Sequence, residues 1–133
     1  MHVAELMQRK VRTVDSDATI ADAVVSLADG HVSGMPVVDG TGKVIGVLST
    51  TDVLTAEAEA GDSSCRQTFL ENTSVRDIMT PRPFTIAPSE DVREAARQML
   101  YADVHRLFVA EGDQVVGIIS TTDIVRAVAT GKL

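Results

Sequence analysis

The chain has no tryptophan, and its aromatic residues number only four, three Phe and one Tyr. Binding of single-stranded nucleic acid needs bases stacked on aromatic rings over a basic groove. Neither is on offer: twelve Lys and Arg face nineteen Asp and Glu, for a formal net charge of −7. Nucleic acid is therefore an unsuitable partner. There is one cysteine, Cys65. An intrachain disulfide is impossible, and a reducing cytoplasm is the compartment this favours. No apolar run reaches membrane-spanning length and no signal-peptide core is present. Catalytic signatures are missing too. No nucleophile sits beside a base in a defined motif, neither His2 nor His31 has a partner at a metal-ligand interval, and there is no Walker-type phosphate loop. The expectation is a protein without chemistry of its own.

What the chain does have is a sentence said twice. Gly46-Val-Leu-Ser-Thr-Thr-Asp-Val53 returns as Gly117-Ile-Ile-Ser-Thr-Thr-Asp-Ile124. A two-fold internal repeat governs every other reading. Val3-Ala-Glu-Leu-Met7 aligns with Val75-Arg-Asp-Ile-Met79, and Ile20, Ala23, Val24, Leu27 and Ala28 align with Val92, Ala95, Ala96, Met99 and Leu100. Both sets recur at the i, i+3, i+4, i+7, i+8 spacing of one helix face. Thr19 and Asp91 stand as N-caps, with Asp22 and Glu94 three residues on.

After each helix come Met35-Pro-Val-Val-Asp39 or Leu107-Phe-Val-Ala-Glu111, a turn, and the apolar runs Val44 to Leu48 or Val115 to Ile119. These predict a hairpin whose strands are covered on both faces. Thr41 is the one insertion, placed in the turn. Second helices are expected to begin near Asp52 and Asp123 and to stop near Gly61 and Gly131. Each half then reads as extended lead, helix, two strands, helix. The domain reading is 1–60 for the first repeat, 61–73 for a linker with at most one helical turn and an incidental thiol at Cys65, and 74–133 for the second repeat. A 60-residue half alone would be marginal, so the halves are expected to share one core.

Ser-Thr-Thr-Asp at a helix entrance has an ordinary explanation. The hydroxyl caps the helix and the carboxylate complements its dipole, the cap being worth about 1 kcal/mol. The residues before it point further. Glycine, two apolar strand residues, hydroxyls and a carboxylate around a helix N-terminus offer a close backbone approach, an apolar wall, phosphate donors and an acceptor for ribose hydroxyls. That set fits a nucleoside phosphate better than a bare anion.

With these motifs in this order, the chain resembles tandem cystathionine β-synthase (CBS) domains, the arrangement called a Bateman module. The likeness covers nearly everything but the linker. It rests on Gly46 to Asp52 and Gly117 to Asp123, on Val32-Ser-Gly-Met-Pro-Val-Val-Asp39 and on Val75 to Pro81; the opening of the first half departs from the pattern, with Gln8-Arg9 where the second has Thr80-Pro81. The resemblance implies an α/β (α+β) fold of two β-α-β-β-α repeats about a pseudo-two-fold axis, forming one globular module with two clefts between the sheets. It implies an adenosine-containing effector, with AMP, ADP, ATP, S-adenosylmethionine, NAD and dinucleotide second messengers all eligible, and no obligatory cofactor. By position, Asp52 and Asp123 would take the ribose diol, Ser49, Thr51, Ser120 and Thr122 the phosphate, and Val47, Ile118, Val32 and Val104 the base. His105 and Arg106 match a phosphate clamp that Ser33 and Gly34 replace in the first half. The implied protein is a sensor that acts in trans on an unidentified partner and pairs helix to helix into a homodimer. The alternative is an assembly module whose clefts are vestigial.

Overall fold

Helix starts fall where the caps dictate. The computed structural model describes residues 1–59, 61, 63–81 and 84–133, and for 63–65 the backbone only; Cys65 and the repeat boundary at residue 60 thus lie outside the described side chains and residues. Helix α1 is a single turn, Val3–Leu6, and the strand β1 is Val14–Asp15. Helix α2 spans Ile20–Gly30 behind Thr19, whose hydroxyl accepts the Asp22 N–H. The hairpin follows as β2, Gly34–Val38, and β3, Val44–Ser49, leading into α3, Thr50–Glu59, and α4, Ser63–Asn72. A 3-10 turn over Val75–Asp77 precedes the strands β4, Thr80–Pro81, and β5, Thr85–Ile86. Helix α5, Val92–Ala102, begins behind Asp91, which accepts the Arg93 N–H. That bond holds the Asp91 carboxyl below the usual range. Strands β6, Arg106–Glu111, and β7, Gln114–Ser120, then deliver the chain to α6, Thr121–Ala129.

The result is a mixed α+β fold with two sheets. One has the order β1-β2-β3-β4 and the other β5-β6-β7. In each, the first strand runs parallel to the second and the hairpin is antiparallel, Val14 facing Val37 and Thr85 facing Phe108. The hairpin turn with the insertion is stitched by Asp39, whose carboxylate accepts from the Thr41 hydroxyl and N–H and from the Lys43 N–H.

Two expectations need correcting. The stretch 61–73 is not a linker with a single turn: α4 is ten residues long and lies against α2, with Phe69 and Leu70 packed on the core. Two neighbouring apolar residues leave no period to read, so contact with α2 decides this helix. The leads are extended only in part, since each opens with a helical turn before its strand residues. The helix faces are also narrower than the spacing implied. Ile20, Ala23 and Leu27 are buried, as are Val92, Ala95 and Met99, while Val24, Ala28 and Leu100 remain exposed.

The leads themselves change places. One compact unit is Arg12–Pro83 and the other joins Met1–Val11 to Phe84–Leu133. Val75, from the second repeat, is fully buried in a cluster with Ile20, Met35, Val37 and Leu48 of the first. Val3, from the first repeat, is fully buried with Leu107, Val109 and Ile119 of the second. Instead of one shared core there are two clusters, each completed by the other repeat. A half cut out at its sequence boundary would lose a fully buried core residue.

Glycine makes the exchange possible. Thr80 and Pro81 pair with Val47 and Gly46, and at the equivalent place Gln8 bridges Ile118 through bonds of 2.8 and 2.9 Å. A Cβ on Gly46 would lie 2.8 Å from the Thr80 carbonyl oxygen, and one on Gly117 would lie 2.9 Å from that of Gln8. The motif glycine therefore admits the lead strand, a role the sequence reading had given to a ligand. Gly117→Ala or Gly46→Ala must push the lead away from its strand, at a cost of about 1–3 kcal/mol. Urea denaturation should show a lowered midpoint for each variant.

Candidate functional site

Each motif sits where a hairpin strand runs into a helix, and the pleat sorts its residues. Along β3 and β7 the buried Gly46, Leu48, Gly117 and Ile119 alternate with the part-exposed Val47, Ser49, Ile118 and Ser120. Successive strand side chains take opposite faces. Val47 therefore shares a face with Ser49, and Ile118 with Ser120. Directly opposite Ser120 in the ladder stands Arg106, and opposite Ser49 stands Gly34. The expected clamp is thus brought beside one motif and left as glycine beside the other. His105 is exposed; its carbonyl accepts the Thr121 N–H at 2.9 Å, just as Ser33 accepts that of Thr50.

The helix entrances are capped reciprocally. Ser120 accepts the Asp123 N–H at 3.2 Å, and Asp123 Oδ2 accepts the Ser120 N–H and hydroxyl, each at 2.9 Å. In the first half Ser49 accepts from Asp52 at 3.1 Å and Asp52 Oδ2 accepts the Ser49 N–H at 2.9 Å. The ordinary explanation of the motif is therefore realised in both copies. It uses one carboxylate oxygen and leaves the other. Thr51 and Thr122 are exposed in the first turns, beside N–H groups that favour an anion.

The second oxygens have partners that the sequence reading missed. Gln8 Nε2 donates to Asp123 Oδ1 at 3.3 Å, and the Thr80 hydroxyl donates to Asp52 Oδ1 at 3.3 Å. Arg126 Nη1 also approaches Asp123 Oδ1, at 3.7 Å, but its side chain is mostly exposed and contributes little. Asp123 is buried, whereas Asp52 is half-buried. Gln8 and Thr80 occupy the same repeat position, and that was the available signal. It passed as a degraded opening because amide and hydroxyl look unrelated until both are seen to donate.

The base-holding residues scatter more. Val32 follows His31, which is in the left-handed conformation as the C-cap of α2, and lines a groove of about 630 Å³ with Leu27, Val53, Leu54 and Leu70. Val104, after the equivalent left-handed Asp103, packs on the Leu107 cluster. His2 caps α1 with its backbone and contacts the Ser89 carbonyl through Nδ1 at 2.6 Å, a structural place. A separate groove of about 310 Å³ runs along α6, lined by Met7, Gln8, Asp123, Arg126 and Lys132 among others.

A family model for the CBS domain matches residues 3–59 and again residues 75–130. The chain belongs to the CBS domain family. Of the curated proteins it is similar to the chloroplastic CBS domain-containing protein CBSX1 of Arabidopsis thaliana, 29% identical over 148 residues that cover 94% of this chain and 63% of CBSX1. It thus spans under two thirds of that relative. Of the solved structures, it matches Arabidopsis thaliana CBSX2 in complex with AMP, with a TM-score of 0.82 and 27% identity over 99% of this chain and 98% of that one. It also matches the CBS domain pair of protein MJ0100 in complex with 5-methylthioadenosine and S-adenosyl-L-methionine, with a TM-score of 0.78 and 25% identity over 100% of this chain and 98% of the other. The two CBS repeats account for both sheets. Among the described residues no helix is long and apolar enough to cross a membrane.

Proposed function

We propose that this CBS pair is a sensor of an adenosine-containing ligand, bound at the Asp52 and Asp123 motifs, that acts on a separate partner without catalysing a reaction. The observation that carries the reading is the placement of Arg106 directly across from Ser120, on the face that Ile118 shares. An apolar wall, a planar cation beside a hydroxyl-bearing helix entrance, and the motif carboxylate match base, phosphate and ribose in that order. The adenosine compounds bound by CBSX2 and MJ0100 support the ligand class. The single cysteine makes a reducing cytoplasm the proposed compartment.

A second reading is an assembly module with empty sites. The cap geometry favours it, because both carboxylates already close a helix entrance. The two readings part on one substitution. Asn in the first turn keeps an amide oxygen that can still accept the Ser120 or Ser49 N–H, but loses the charge that makes hydrogen bonds to a carboxylate worth about 1.5–3 kcal/mol. Under the sensor reading, Asp123→Asn and Asp52→Asn each weaken AMP at their own motif about tenfold or more while the protein stays folded; calorimetric titration reads this, and unchanged binding in both favours the assembly module.

The two motifs are unequal in this proposal. Arg106→Ala removes most of the high-affinity phase for AMP, ADP or ATP and spares adenosine. Two equivalent sites in a titration of the wild-type protein would return Arg106 to solvent.

A homodimer belongs to the same reading. Leu100, Tyr101, Val125 and Val128 of α5 and α6 are 58–94% exposed, more apolar surface than a solitary helix pair normally leaves in water. A two-fold interface meets each substitution twice. Light scattering should find a wild-type dimer at micromolar concentration and a shift toward monomer for Val128→Glu; a monomeric wild type would end the idea.

A further inference from the structure

We infer that Gln8 and Thr80 gate the two motifs: each donates to the Asp oxygen that a ribose diol needs, so a ligand competes with that side chain and binds best once it has turned away. The inference rests on the proposed role of Asp123 and Asp52 as diol acceptors. Asp123 Oδ2 is committed to the Ser120 N–H and hydroxyl. A diol gripped by both carboxylate oxygens therefore competes for Oδ1, and Oδ1 is where Gln8 Nε2 donates. In the first half the Thr80 hydroxyl lies nearest Asp52 Oδ1, at 3.3 Å, and 3.5 Å from Oδ2, which the cap also uses.

Only the side chain has to move. The Gln8 backbone is tied to Ile118 in both directions, and Met7 and the Gln8 carbonyl lie against Gly117. The lead strand stays docked while the exposed amide swings about its own torsions. Opening is then a local event that costs one hydrogen bond to a charged group. That cost is subtracted from the affinity of any ligand needing Oδ1. The two gates differ in kind. Gln8 reaches its aspartate through a long, flexible side chain from the N-terminal segment, whereas Thr80 does so through a short branched one with fewer rotamers. Each gate is delivered by the exchanged lead, so the state of a motif is set by the repeat that does not contain it.

The test is an AMP titration followed by the backbone amide signals of Ser120 and Asp123 for one motif and of Ser49 and Asp52 for the other, in uniformly nitrogen-15-labelled protein. Gln8→Ala should lower the AMP Kd read at Ser120 and Asp123 about threefold to tenfold and leave the Kd at Ser49 and Asp52 unchanged. Thr80→Ala should do the reverse. In the wild type the Gln8 side-chain amide signal should move as AMP saturates Asp123. Gln8→Thr, which installs the other half's residue, should not fall below the wild-type affinity; it replaces Gln8→Ala if that variant fails to fold. An unchanged or higher Kd at Ser120 and Asp123 in Gln8→Ala overturns the gate and leaves the sensor reading standing. Absence of any AMP response at either motif, in wild type and variants alike, overturns both.

Discussion

A Cβ on Gly117 would lie 2.9 Å from the Gln8 carbonyl oxygen, and one on Gly46 would lie 2.8 Å from that of Thr80. No real side chain tolerates such approaches against packed atoms, so these two strands can receive a lead only where they carry no side chain. Much else hangs on that contact. It pins the lead's backbone to the motif strand, sets Val3 and Val75 into their clusters, and aims Gln8 and Thr80 at the aspartates. Because each lead comes from the other repeat, neither core is complete without both. A duplication of marginal halves thus becomes obligatory, which answers the size problem by interlocking two small cores instead of enlarging one.

The motif carboxylate carries two loads on separate oxygens. Oδ2 closes the helix entrance, a contribution of about 1 kcal/mol that is wanted whether or not a ligand is present. Oδ1 is the oxygen with exchangeable partners, and Gln8 and Thr80 keep it from being buried without a hydrogen bond, which would cost about 1–3 kcal/mol. Division of labour of this kind lets a recognition element stay ordered in the empty state. Overall charge runs the other way. At −7 the protein as a whole repels anions, so under the sensor proposal attraction for a phosphate would have to be local, from the first turn of α6 and from Arg106. Near contacts outlast screening better than the distant charges that oppose them.

Much of this fold was legible in the sequence because the repeat supplied each reading twice. Thr19 and Asp91 named their helices, Asp52 and Asp123 marked theirs to within two residues, and the hairpins followed from Gly and Asp between apolar runs. What stayed hidden was decided by contacts distant in sequence. Helix α4 has no periodic face and owes its place to Phe69 and Leu70 against the α2 layer. The lead exchange leaves no local trace at all, since Val3-Ala-Glu-Leu-Met7 reads alike whichever strand it joins. That Ser120, Asp123 and Arg106 lie together at one helix entrance was legible. Gln8 was passed over because pairing with Ile118, not its chemistry, gives it a place.

Under the sensor proposal the two motifs differ at two positions that would act on different parts of a nucleotide, and the effects need not agree in sign. Arg106, across from Ser120, would face the phosphate side and help in proportion to ligand charge; Gly34, across from Ser49, would supply nothing there. Gln8 and Thr80 act on the ribose, which every adenosine compound carries, so their cost is nearly constant along a ligand series. Burial of Asp123, against the half-buried Asp52, adds to what a ligand must overcome in the composite unit. An adenosine compound without phosphate meets that cost at Asp123 with no return from Arg106, and is better received at Asp52. A nucleoside di- or triphosphate recovers it from the guanidinium. Under the sensor proposal the pair therefore discriminates by charge even though both motifs read the same sugar, one answering to phosphorylated ligands and the other to the rest.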